Sequence, residues 1–99
     1  MNKILQLIGL AHMGKRILIG EDILSNIAKK HIELIILAND VSENTKKRFC
    51  NKALFYQIDI ISLFSKEELG QCLGKNYISA VAILDSKLKN KIEEIIESR

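Results

Sequence analysis

Few stretches of this chain have residue types that could do chemistry. The densest is Asn39-Asp40-Val41-Ser42-Glu43-Asn44-Thr45-Lys46-Lys47-Arg48, which crowds carboxylates, amides, hydroxyls and cations together. It follows Leu34-Ile35-Ile36-Leu37, an apolar, partly β-branched run that reads as a buried strand. Asp40 and Ser42 are good helix caps, and Phe49, Ala53 and Leu54 behind them have helical spacing. Polar and basic groups therefore sit where a strand ends and a helix begins. Ligands of open α/β sheets bind at the carboxyl ends of strands, and a helix N-terminus favours phosphate. This arrangement points to a nucleic-acid surface rather than a catalytic pocket.

Signatures of catalysis are absent. There is no Gly-x-Gly-x-x-Gly, no phosphate-binding Gly-Lys-Ser/Thr loop and no Ser or Cys elbow between glycines. His12 and His31 are expected at helix ends, where a histidine complements the helix dipole. Glu67-Glu68 and Glu93-Glu94 are adjacent pairs, and helical neighbours one apart do not face each other. They read as solvated surface. Cys50 and Cys72 are too few and too far apart for zinc and read as reduced core thiols. No enzyme, cofactor or metal is expected.

Composition narrows the class. A chain of 99 residues reads as one domain, residues 1–99, able to bury a layered core without disulfides. The net charge of +3 permits a polyanionic partner without demanding one. No run approaches the ~18–20 apolar residues of a membrane span. The start, Met1-Asn2-Lys3-Ile4-Leu5, lacks the apolar length and cleavage site of a signal peptide, so the cytoplasm is the expected location.

The elements that must position these groups alternate strictly. Ile4, Leu7, Ile8 and Ala11 share one helical face, widened by Leu5 and Leu10, and Gly14 is the expected stop. Ile17-Leu18-Ile19 is a strand. A helix over 21–30 turns Ile23, Leu24 and Ile27 inward, and 34–37 is the second strand. A third helix covers 42–55. Ile58, Ile60, Ile61 and Leu63, with Phe64, form a third strand and its exit. Ser65 and Glu68 make a capping box for a helix from Lys66 to about Leu73, stopped by Gly74. Ala80 to Leu84 is wholly apolar and so a central strand. Asp85 or Ser86 caps a last helix carrying Leu88, Ile92, Ile95 and Ile96. Strict alternation predicts α/β architecture, with helices on both faces of one sheet in a three-layer α-β-α sandwich.

Three loops are expected at one end of that sheet: 19–22, 38–44 and 74–79. The last enters its strand, so it joins the others only if that strand runs antiparallel or the loop folds back.

Taken in order, Gly9-Leu10-Ala11, Ile19-Gly20-Glu21, Leu34 through Asp40, Asn44-Thr45-x-Lys47, Glu68-Leu69-Gly70, Leu73-Gly74-Lys75 and Ala80-Val81-Ala82-Ile83 resemble the bacterial YlxQ-type proteins. Those belong to the ribosomal L-seven-Ae and L-thirty-e superfamily of kink-turn RNA binders. The resemblance spans nearly the whole chain. It implies a four-stranded mixed sheet, RNA as partner and no enzymatic activity. It also implies an RNA face at Gly20, Glu21 and Asp22, then Asn26, then Asp40, Asn44 and Lys47, then Lys75, Asn76, Tyr77 and Ile78. The physics agrees. Gly20 lets RNA approach the backbone. Tyr77 and Ile78 could cover a splayed base, and Lys47, Lys75 and Lys15 could meet phosphates.

The chain departs from the archaeal ribosomal pattern Gly-x-Asn-Glu-x-x-Lys. Asp22, Ile23 and Asn26 stand where that pattern has Asn, Glu and Lys. The YlxQ branch also tends to lack the motif, so the departure bears on the target more than on the family. The leading expectation is a small, monomeric binder of structured RNA, ribosomal or other. The alternative is a protein–protein interaction module of the same fold with lost kink-turn specificity. An unrecognised enzyme would need a deep pocket with perturbed titratable groups.

Overall fold

A computed structural model describes residues 2–98; Met1 and Arg99 lie outside the described residues. The elements are α1 (Lys3–Met13), β1 (Ile17–Ile19), α2 (Glu21–Asn26), β2 (Leu34–Leu37), α3 (Glu43–Phe55), β3 (Asp59–Ser62), α4 (Lys66–Cys72), β4 (Ala80–Ile83) and α5 (Ser86–Glu97). The sheet order is β1-β4-β2-β3. β2 and β3 are parallel, whereas β4 runs antiparallel to both β1 and β2. The expected four-stranded mixed sheet is therefore present.

Every residue of β2 and β4 is buried. A strand covered by helices on both faces has no solvent side, so it is apolar throughout instead of alternating. Side chains still alternate between the two faces. Leu34 and Ile36 join Val81 and Ile83 beneath α1, α4 and α5, with Ile8, Leu69 and Ile92 fully buried among them. Ile35 and Leu37 join Ala80 and Ala82 beneath α2 and α3, where Ile23 and Phe49 fill the core. This is the three-layer sandwich.

The helix ends explain several departures from expectation. α4 stops as expected in a Schellman motif. Gly74 has φ +71°, and the Lys75 N–H donates to the Gly70 carbonyl at 2.8 Å. α1 and α3 end in the same motif without glycine at the left-handed position. Gly14 has φ −89°, and Lys15, one residue later, takes φ +56°; Gln57 does so after α3. α2 ends at Asn26, four residues short of the expected Lys30. The Asn26 carbonyl instead accepts from both Lys29 and Lys30, closing a turn. His31 consequently lies beyond any helix end and pairs with Glu33. Leu10 and Leu54, read as inward, are exposed, Leu54 by 80%. Helical spacing fixes a face only to within one neighbouring position. Cys50 and Cys72 are free and only half-buried; Cys72 packs against the core under α4, whereas Cys50 joins neither core cluster. They flank the buried stripes of α3 and α4 instead of lying on them. Burial pushes the Cys72 thiol up from its ordinary value, so it is a poor nucleophile.

An L-residue in the left-handed region costs about 1–2 kcal/mol, partly offset by the greater entropy glycine loses on folding. Gln57→Gly is therefore expected to stabilise the fold by about 0.5–1 kcal/mol, read by urea unfolding. Gly74→Ala is expected to destabilise it by a similar amount. Equal effects of the same sign would refute the assignment of strain.

Candidate nucleic-acid interface

Because β4 opposes its neighbours, its first residue lies at the same sheet edge as the last residues of the other strands. The register pairs Ile19 with Val81, and Leu37 with both Ala80 and Ser62. The loop entering β4 thus joins the three loops that leave β1, β2 and β3. Backbone hydrogen bonds stitch the four together. The Gly20 N–H donates to the Ala80 carbonyl at 3.0 Å, and the Ala38 N–H to Ser79 at 2.8 Å. The Asn39 N–H donates to Phe64 at 2.8 Å, and the Ile78 N–H to Lys66 at 3.0 Å. Gly20 sits at φ 59° and ψ −136°, a conformation only glycine adopts without strain.

The loop carrying Lys75, Asn76 and Tyr77 lies directly on α4. A Cβ on Gly70 would stand 2.5 Å from the Asn76 carbonyl oxygen and 2.9 Å from that of Lys75. Gly70 therefore sets how closely the loop folds back. All three loop residues are exposed, Tyr77 by 69%. A hollow of about 270 Å³ opens among Glu67, Gln71, Lys75, Asn76 and Tyr77. Ile78 does not share this exposure. It is only 8% exposed and belongs to the core under α4. Successive side chains alternate as the chain becomes extended, so Ile78 anchors the loop and is not presented to a base.

The other expected site residues divide into free and engaged groups. Asn44 and Lys47 are exposed in the first turns of α3. Asp22 is exposed at the start of α2. Glu21 is exposed but ion-paired with Arg48, which offsets one of the two acids at this helix end. Asn26 turns its side-chain amide back to the Asp22 carbonyl at 2.8 Å, so it serves its own helix instead of a ligand. Asp40 is also engaged. Its Oδ1 accepts the Lys66 N–H at 2.9 Å, capping α4 beside the Ser65–Glu68 box, which forms as expected. Ile23 is fully buried. The position that carries Glu in the archaeal pattern is here a core anchor for α2. Lys15 lies before β1, at the opposite end of the sheet from this rim.

Two contributors were not singled out from the sequence. Arg48 was read only as part of a basic cluster, and its link to Glu21 crosses two elements. Phe64 holds φ +65°, unusual for a bulky residue, while its carbonyl ties the third loop to Asn39. No local sequence signal marks that conformation. Lys47, Lys75 and Tyr77 all stand exposed to solvent. Among the described residues, no cluster of His, Cys, Asp or Glu could hold a metal, and no helix is long and apolar enough to cross a membrane.

The Gly70 contact makes a direct prediction. Gly70→Ala should destabilise the protein by about 1–3 kcal/mol, because the opposing atoms are backbone. Amide hydrogen exchange should rise at residues 75–77 before the sheet is affected. Unchanged exchange there would show that the loop does not depend on this contact.

Comparison with known proteins places the chain in a lineage. Residues 2–93 match the ribosomal protein L7Ae/L30e/S12e/Gadd45 family. The chain is 34% identical over 96 residues to the RNA-binding protein YlxQ of Enterococcus faecium, covering 96% of this chain and 92% of that protein. It is 29% identical to the RNA-binding protein YlxQ of Bacillus subtilis (strain 168), covering 92% of each. A solved structure of a protein of unknown function from Bacillus halodurans C superimposes with a TM-score of 0.88 at 28% identity, over 98% of this chain and 99% of that one. The Giardia lamblia 15.5kD RNA binding protein shares the fold, with a TM-score of 0.75 at 19% identity, over 96% of this chain and 82% of that one. On this whole-length match, the chain belongs to the ribosomal protein L7Ae/L30e/S12e/Gadd45 family.

Proposed function

We propose that this protein is a non-enzymatic, cytoplasmic RNA-binding protein acting as a monomer on structured RNA, ribosomal or other. Its binding surface is the rim formed by Gly20 to Asp22, Asn44, Lys47 and Lys75 to Tyr77. The observation that carries this is the convergence of four hydrogen-bonded loops that leaves Tyr77 exposed beside Lys75. The names of the YlxQ relatives support it. Lys47 and Lys75 meet phosphates, which position the RNA without reading it. Tyr77 covers a base outside regular pairing, the usual target of sequence-specific RNA recognition. The engaged Asn26 and buried Ile23 remove two side chains of the archaeal pattern, so any kink-turn is read by shape and by Asp22, Asn76 and Tyr77.

The test compares a short kink-turn RNA with a control whose tandem G·A pairs are replaced by Watson–Crick pairs, each at two salt concentrations. Tighter binding to the kink-turn is the expected result. Lys47→Ala and Lys75→Ala should weaken both RNAs and each reduce the salt slope by about 1. Tyr77→Ala should cost about 1–3 kcal/mol on the kink-turn. Lys15→Ala, at the far end of the sheet, should change nothing. A loss at Lys15 as large as at Lys47 would sink this placement of the interface.

A further inference from the structure

α3 carries a second feature that the rim does not use. Asn44, Arg48, Asn51 and Phe55 recur at i, i+4, i+7 and i+11, which sets them in one line along the helix. The line begins at the rim with Asn44 and runs roughly 16 Å along α3. Its far half borders a cleft of about 520 Å³ between α2 and α3, lined by Leu24, Arg48, Asn51, Lys52 and Phe55. Phe55 is 77% exposed, although it is a large apolar ring. Its ring meets that of Tyr56 at 4.9 Å and 80°, an edge-on contact that steadies its orientation. Arg48, the lining residue nearest the start of α3, is the one paired with Glu21.

We infer that this cleft holds an unpaired nucleotide of the RNA strand that leaves the rim. The chemistry fits one occupant. An aromatic face stacks on any base, an amide pairs with a base edge, and cations meet the phosphate. Phe55, Asn51 and Lys52 supply these groups on adjacent turns of one helix. Lys52 supplies the charge complementarity, since Arg48 is held by Glu21, and the line leads back through Arg48 to Asn44 at the proposed interface. A purely apolar ligand would leave the polar ends of Asn51 and Lys52 unmatched. The inference rests on the RNA reading of the rim, and it adds a second contact that reads single-stranded RNA.

The experiment is chemical-shift mapping of the ¹⁵N-labelled protein with oligouridylate, with the blunt kink-turn RNA, and with an acidic, leucine-rich peptide. Oligouridylate should shift the amides of Asn51, Lys52 and Phe55. Phe55→Ala should weaken that binding roughly five- to hundredfold. Phe55→Trp should retain it, and Phe55→Leu, which keeps apolar bulk without a ring, should resemble Phe55→Ala. The exposure of Phe55 means that these variants keep the core intact. Shifts confined to Asn76 and Tyr77 would overturn the cleft and leave the rim standing. Silence toward both RNAs would overturn the RNA reading itself. Full binding by Phe55→Leu, or occupation of the cleft by the peptide alone, would overturn the nucleotide in favour of apolar cover or a protein partner.

Discussion

All four residues of β4 are buried, so each backbone N–H and C=O there must find a partner inside the protein. β4 meets this demand by pairing with β1 on one side and β2 on the other, antiparallel to both. That choice of direction governs the rest of the molecule. A parallel β4 would bring its entry loop to the opposite edge. Residues 75–77 would then lie a full strand length from Gly20 and Asn44. With β4 reversed, the Gly20–Ala80 and Ala38–Ser79 hydrogen bonds become possible, and four loops form one rim.

The rim is held by groups that serve structure before they serve a ligand. Asp40 caps α4, Asn26 closes α2, Ile78 fills the core, and Gly70 admits the loop backbone. Each lies beside an exposed residue and fixes where it stands. Ile78 anchors Tyr77, and Gly70 sets the height of Asn76. Preorganisation of this kind limits the entropy lost when a loop meets its partner. It also separates the two electrostatic roles at the edge. Glu21 is engaged by Arg48, whereas Lys47 and Lys75 form no ion pair among the described residues.

The second core shows how the family fold carries different surfaces. Ile23 and Phe49 pack beneath α2 and α3. Burying Ile23 secures a short helix of six residues that could not stand alone. An apolar residue at this position offers no polar group to the rim. Position 23 of this chain serves packing alone. The exposed side of α3 is under no such demand, which leaves room for the line from Asn44 to Phe55.

Element order, helix caps and the two apolar strands were legible from the residues, because periodicity, capping chemistry and full burial are local or one-dimensional signals. The Ser65–Glu68 box and the all-apolar runs 34–37 and 80–83 are the clearest cases. The exposure of Lys47, Lys75 and Tyr77 was legible too, since none of them falls on an apolar face. What the tertiary structure alone decided was which groups remain free. Asp40 and Glu21 look alike as exposed acids in the sequence, yet one caps a helix 26 residues away and the other pairs with an arginine 27 residues away. Ile78 reads as part of an exposed loop until the entry into β4 turns it inward. Leu54 follows a helical spacing, but Phe49 and Ala53 take the face of α3 that meets the sheet and leave Leu54 in solvent. These outcomes depend on contacts between elements distant in sequence, which no local spacing encodes.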